Sequence, residues 1–214
     1  MSDPIVFGAA YSVYVRIVRL ALAEKGAPYR LVEVDIFAPD GPPTDYVARQ
    51  PFKRIPALEH EGFRLYETGA ITRYVDEAFP GPALMPDNQE ARARVNQVIS
   101  IVDNYAYRSM VWGVFMECVR APARGKIGDE AVIASSLKLA ETCLDALEDL
   151  AAADGPAFLG PAVTLADLYL GPMMGYFTMA KPGAERLAAH PRLSRWWGWM
   201  KERPSMAATR SPLE

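Results

Sequence analysis

The amino-acid sequence predicts a small α/β domain followed by an all-α domain. Three observations carry this. The first 80 residues alternate short β-rich runs with helical periodicity. Residues 79–88, FPGPALMPDN, then hold three prolines and a glycine. Beyond them only helical patterns remain. The expected division is therefore 1–80, a linker at 81–88, and a helical domain at 89–214.

The elements follow in order. PIVFGA is a first strand and YRLVEVDI a second, with SVYVRIVRLALAEKG between them. In that middle segment Val15, Val18 and Leu22 share a helical face, and Gly26 stops it. Strand, helix and strand make a right-handed βαβ unit. APDGPPT is a loop by composition, and a short helix is expected over 45–50. Residues 57–59 and 63–66 flank Glu61-Gly62 as an antiparallel hairpin. A helix over 67–79 closes the half. The second half predicts helices over 89–118, 129–153, 164–178 and 193–202. They are separated by APARGKIG, ADGPAFLGPAV and KPGAERLAAHP.

Bulk properties exclude several function classes. The net charge of -3 is too small to argue for nucleic acid or a membrane surface. No run of about 18 apolar residues could span a bilayer. MSDPIVFGAAYS lacks the basic start of a leader peptide. Two cysteines, Cys118 and Cys143, rule out a disulfide framework and are expected to be buried apolar filler in a reducing cytosol. Neither histidine, His60 or His190, has neighbours that suggest a metal site or a triad. No metal is expected.

Three places offer chemistry. Pro56 opens a strand, where a missing donor is tolerated only at an edge. A trans Pro56 on an edge strand satisfies this; a cis Ile55-Pro56 bond would instead turn the Ile55 backbone toward an extended ligand. Glu67-Thr68 at a helix start reads as a cap. It also reads as a site where free N–H groups and the Thr hydroxyl hold a carboxylate while the Glu carboxylate pairs with an ammonium. Ser12 is an N-cap and equally a hydroxyl donor for a thiolate. Lowering a thiol pKa from about 8.5 by two units needs about 2.7 kcal/mol. One hydrogen bond to a charged acceptor (about 1.5–3 kcal/mol) and the helix dipole (about 0.3–1) supply that. Arg16, one turn on, adds positive charge or packs elsewhere.

In this setting the chain resembles a cytosolic glutathione S-transferase over essentially its whole length. The matching pieces stand in order. They are a hydroxyl at the first strand-helix turn, Arg49-Gln-Pro-Phe52, Arg54-Ile55-Pro56-Ala57-Leu58 and Glu67-Thr68-Gly-Ala-Ile71. Phe158-Leu159-Gly160 then leads into Val163-Thr164-Leu165-Ala166-Asp167, similar to the family's capping box, and Arg203-Pro204 follows. Ser12, Arg16 and Ala-Leu-Ala-Glu-Lys25 most resemble the serine-type, phi-like (bacterial-type) branch.

The resemblance implies a thioredoxin-like N-terminal domain, glutathione as co-substrate, a homodimer and a cytoplasmic location. It assigns Ser12 the thiolate hydrogen bond and Ile55, beside a cis Pro56, the backbone bonds to the cysteinyl unit. Glu67 and Thr68 take the γ-glutamyl end, and Arg54 a polar contact. Where phi-like enzymes place basic contacts for the glycine carboxylate, this sequence has Gly41-Pro42; Lys53 or Arg49 would substitute. Tyr11 and Tyr14 flank Ser12 and compete for its role. With no cysteine in the first 117 residues, the cysteine-type branches do not fit. A second, apolar pocket would draw on Tyr107, Met110 and Val111 from the aromatic and Met cluster at 105–116, most of which is helix core. The Trp196-Trp197-Gly-Trp199 cluster reads as packing. The expected reaction is conjugation of glutathione to small hydrophobic electrophiles. The alternatives are a glutathione-dependent peroxidase or isomerase, or a non-catalytic ligand-binding protein on the same fold.

Overall fold

A computed structural model describes residues 2–214; Met1, the first residue of the stretch expected to carry no leader, lies outside them. The chain forms two compact units. One takes the residues through Leu84 together with Pro204–Leu213, and the other takes Met85–Arg203 and Glu214.

In the first unit the expected order is present: β1 Ile5–Phe7, α1 Val13–Glu24, β2 Arg30–Val32, α2 Thr44–Val47, β3 Ala57–His60, β4 Phe63–Tyr66 and α3 Thr68–Ala78. The strands lie in the order β2-β1-β3-β4. β1 and β2 run parallel, and the other two pairs are antiparallel. Phe7 lies opposite both Val32 and Ala57, and Ala57 opposite Tyr66. One end of the sheet therefore gathers the exits of β1, β2 and β4 and the entrance of β3. This is the thioredoxin-like arrangement.

Val15, Val18 and Leu22 of α1 are fully buried, as their spacing predicts. Gly26 ends the helix at φ 66°, and the Ala27 N–H reaches back to the Leu22 carbonyl at 2.9 Å. That pair is a Schellman closure, which the left-handed glycine permits. Lys25 is buried against the Asp76 carboxylate (3.2 Å) and the Pro82 carbonyl (3.0 Å). The same Asp76 oxygen accepts from the Leu84 N–H at 2.7 Å.

The second unit begins with α4, Gln89–Ile101. It continues unbroken through a π-helical stretch, Val102–Arg120, into α5, Ala121–Ala123. The helix expected to stop at Cys118 thus runs past it. At its end the Ala121 N–H donates to Met116, five residues back, the wider spacing of π geometry. Gly113 lies in this stretch; a Cβ there would fall 1.9 Å from Ser136 Oγ, so glycine lets the next helix approach.

α6, Glu130–Leu150, and α7, Leu165–Met179, agree with expectation. KPGAERLAAHP, expected to be a break, is mostly helix, α8 Lys181–Ala188, and the helix expected over 193–202 is α9, Pro191–Met200. The prolines of both sit in the first turns, where their missing N–H costs nothing. The predicted capping box of Thr164 and Asp167 is present at the start of α7.

The last stretch carries an unforeseen α10, Pro204–Ala208, and packs on α1. Arg16 Nη2 donates to the Met206 carbonyl (3.0 Å), Arg19 Nη1 to the Thr209 carbonyl (3.2 Å), and the Ser205 hydroxyl to Glu24. By these contacts residues 204–213 belong with the first unit, although they follow the helical one in sequence. Of the cysteines, Cys143 is buried as expected, whereas Cys118 is half-buried; burial pushes both thiols up. Among the described residues no helix is long and apolar enough to cross a membrane.

Candidate functional site

The end of the sheet that collects β1, β3 and β4 is where the first unit concentrates its chemistry. β1 leaves through Gly8, at φ 154°, where a Cβ would lie 2.4 Å from Val15 Cγ2 and 3.3 Å from Ile55 Cβ. That close approach brings the start of α1 and the entrance of β3 together. Ser12 then caps α1 in extended conformation, its Oγ accepting from the Val15 N–H at 3.4 Å. The bond uses an oxygen lone pair, so the hydroxyl hydrogen remains a donor at the positive end of the helix.

Ile55 stands just outside the ladder, because β3 starts at Ala57. The Ile55-Pro56 bond is cis, as the resemblance implies, and both residues are buried. The preceding loop is held from below. The buried Tyr46 donates its hydroxyl to the Arg54 carbonyl at 2.5 Å. Gln50, 1 % exposed, accepts from the Phe52 N–H at 2.7 Å, and its carbonyl accepts from the Lys53 N–H at 3.1 Å. Burial raises the Tyr46 pKa well above the usual phenol range, so it remains a donor. Lys53, at φ 54°, and Arg54 project exposed cations.

Glu67 follows β4 at φ 70°, a left-handed conformation that costs a non-glycine residue about 1–3 kcal/mol. Glu67, not Thr68, is the cap residue of α3; its carbonyl accepts from Ala70 (3.1 Å) and Ile71 (2.9 Å). The N–H groups of Thr68 and Gly69 are the first two of the helix and lack intrahelical acceptors. The Glu67 side chain is exposed and makes no capping bond.

Comparison with known proteins decides what this arrangement is. Residues 6–83 match the model described as glutathione S-transferase, N-terminal domain, and residues 130–201 that of the C-terminal domain. The chain belongs to the glutathione S-transferase family. A probable glutathione S-transferase GSTF1 of Oryza sativa subsp. japonica is 30% identical, covering 97% of this chain and 96% of its own. Glutathione S-transferase 4 of Zea mays is 30% identical, covering 94% and 88%. Among solved structures, a glutathione S-transferase III in apo form superposes at TM-score 0.85 with 27% identity, covering 100% and 99%. A Methylobacillus flagellatus glutathione S-transferase with GSH bound superposes at 0.77 with 25% identity, covering 97% and 98%.

Of the residues expected at a glutathione S-transferase site, the sheet end assembles Ser12, Lys53, Arg54, Ile55, Pro56, Glu67 and Thr68. Tyr11 and Tyr14 are half-buried beside Ser12, and the Tyr11 ring stacks on Phe37 at 6.4 Å. Arg49 is committed elsewhere, with Asp45 at 3.4 Å, Glu59 at 3.5 Å and the Phe7 ring at 4.9 Å. Arg16 likewise packs against the C-terminal stretch. Tyr107, Met110 and Val111 lie in the second unit. Met110 has no exposed surface and Val111 is buried, while Tyr107 is half-buried with its ring edge-on to Trp112. Sequence reasoning missed Tyr46 and gave Gln50, quoted only within Arg49-Gln-Pro-Phe52, no role of its own, because both act through contacts with the loop that follows them.

Among the described residues, Glu141, Asp145 and His190 form a separate cluster in the helical unit. Arg186 binds Glu141 at 3.2 Å and His190 binds Asp145 at 3.1 Å, so the acids there are already met by cations or donors.

Proposed function

We propose that the chain is a serine-type, phi-like glutathione transferase that joins the glutathione sulfur to small hydrophobic electrophiles. The observation that carries this reading is Ser12. Its oxygen is occupied as a helix cap while its proton stays available, at the sheet end shared with Ile55 and Glu67-Thr68. In this reading the γ-glutamyl carboxylate meets the first N–H groups of α3, and its ammonium meets Glu67. The Ile55 backbone pairs with the cysteinyl unit as a neighbouring strand would. Lys53 and Arg54 face the glycine carboxylate. The thiol releases its proton to water, and the Ser12 hydroxyl and the α1 dipole stabilise the thiolate. The sulfur then attacks the electrophilic carbon, forming C–S while the leaving group departs with its electron pair. Of the candidates for the apolar pocket, half-buried Tyr107 and the residual surface of Val111 could meet an electrophile, whereas Met110, with no exposed surface, backs them. A homodimer in a reducing cytoplasm completes the reading.

The test is Ser12→Ala, with calorimetry of glutathione and conjugation of a model aryl halide. Losing a hydrogen bond to a charged group costs about 1.5–3 kcal/mol. That corresponds to a bound-thiol pKa raised by about 1–2 units and, from a bound pKa about two units below 8.5, turnover at neutral pH cut about 3- to 25-fold. An unchanged pH profile would transfer the role to Tyr11 or Tyr14. A hydroperoxide and an isomerisable dienone, assayed alongside, separate conjugation from peroxidase and isomerase activity.

A further inference from the structure

The Arg54-Ile55 peptide is held at one end only by a buried side chain. Its carbonyl oxygen accepts from the Tyr46 hydroxyl at 2.5 Å, and Tyr46 itself is 2 % exposed. A peptide group is planar, and in a trans peptide the N–H points opposite to the C=O. The only cis bond among the described residues is the next one, Ile55-Pro56. Fixing the Arg54 oxygen therefore fixes the direction of the Ile55 N–H, on the far side of the same plane. A carbonyl that accepts a hydrogen bond also polarises its own N–H, making that group a stronger donor.

Tyr46 is well placed to hold this plane steady. Its backbone is set in α2 by a bond to the Pro43 carbonyl at 3.0 Å, and its own carbonyl accepts from Arg49 and Gln50 at 2.8 and 3.0 Å. Its ring packs on Phe7 at 6.4 Å, and Phe7 is the β1 residue opposite Ala57. Gln50, also buried, ties down Phe52 and Lys53 on the other side of the loop.

We infer that Tyr46 is a positioning residue: through the Arg54 carbonyl it aims the Ile55 N–H at the cysteinyl unit of glutathione without touching the ligand. This rests on the reading of the sheet end as the glutathione site. Tyr46 acts on binding and leaves the thiolate to Ser12, so its loss separates the two effects.

Tyr46→Phe removes one oxygen and keeps the ring. One neutral hydrogen bond corresponds to an affinity change of about three- to tenfold. The expected result is a glutathione Kd and KM raised by that factor, with kcat at saturation and the pH profile of conjugation unchanged. In ligand-free protein, the 15N order parameter of the Ile55 amide should fall. An unchanged Kd with an unchanged order parameter overturns the inference. So does a fall in kcat with KM constant, or loss of the cooperative melt, since the hydroxyl would then serve the fold and not the site. If the unmodified chain takes up no glutathione, the glutathione reading fails. The Ile55 order parameter still decides then whether Tyr46 orients that peptide.

Discussion

Asp167 has no exposed surface and accepts from the Thr164 N–H (2.8 Å), the Thr164 hydroxyl (3.0 Å), the Phe158 N–H (2.7 Å) and Trp196 Nε1 (2.9 Å). Burial raises its pKa, while these four donors pull it down. Removing the carboxylate strands at least the Phe158 and Trp196 donors in a dry interior. At about 1–3 kcal/mol for each unsatisfied group, Asp167→Ala should cost about 3–5 kcal/mol. Thermal and urea unfolding measure this, and a loss below about 1 kcal/mol would contradict the accounting. The Thr164-Asp167 half of this network was legible in the sequence, because a capping box is a local spacing. The Trp196 bond was not. Trp196 lies 29 residues away and read only as packing, and nothing local marks its N–H as paired. Tyr46 escaped notice for the same reason.

At the scale of elements, α6, α8 and α9 meet around His190. Its Nδ1 faces the Arg186 carbonyl (2.8 Å) and its Nε2 the Asp145 carboxylate (3.1 Å), so both ring nitrogens point at acceptors. Burial disfavours the imidazolium. The Arg186 carbonyl, Asp145 and Glu141 outweigh it and raise the pKa, with the Arg186 guanidinium bound to Glu141 alongside. A raised histidine pKa means the protonated form is held more tightly in the folded state. The stability it adds is full below about 6.5, the unfolded value, and is lost as pH climbs through the higher folded one. The His190 contribution to melting temperature should therefore decline as pH rises above about 6.5, and His190→Gln should flatten that slope. An equal slope in both proteins refutes the assignment. The strands and α1 were legible because period and punctuation agree there, at Gly26 and at Glu61-Gly62. α9 was legible from about Leu193 on, but α8 and the Pro191 start of α9 were not, since their prolines read as breakers. The first turn of α9 takes its cap from a distant partner, Glu148, which accepts from the Arg192 and Leu193 N–H groups at 2.9 Å each.

At the scale of the whole molecule, chain order and packing order part at Pro204. Sequence order assigns the last residues to the helical domain, yet they supply acceptors for two guanidiniums on α1 that are 3 % and 9 % exposed. Arg16 uses the Met206 carbonyl and, at 3.5 Å, Thr209 Oγ1; Arg19 uses the Thr209 carbonyl and Tyr29. Ending the chain at Arg203 would remove the acceptors from residues 206 and 209 and the Ser205 partner of Glu24. Hydrogen bonds to charged groups are worth about 1.5–3 kcal/mol each, and water entering the exposed groove returns part of that. A net loss of about 3–5 kcal/mol follows for the first unit. The effect reaches the site, because Ser12 is the cap of the helix that loses its brace. The truncated chain should melt earlier and bind glutathione more weakly, even though every residue assigned to the ligand is retained. Thr209→Val, which deletes the Arg16 acceptor and the hydroxyl's own 2.8 Å bond to the Ser205 carbonyl but keeps the Thr209 carbonyl, should fall between the two. Calorimetry and thermal unfolding of the three proteins decide it: equal Kd and equal melting temperature would show that α1 stands without the returning segment.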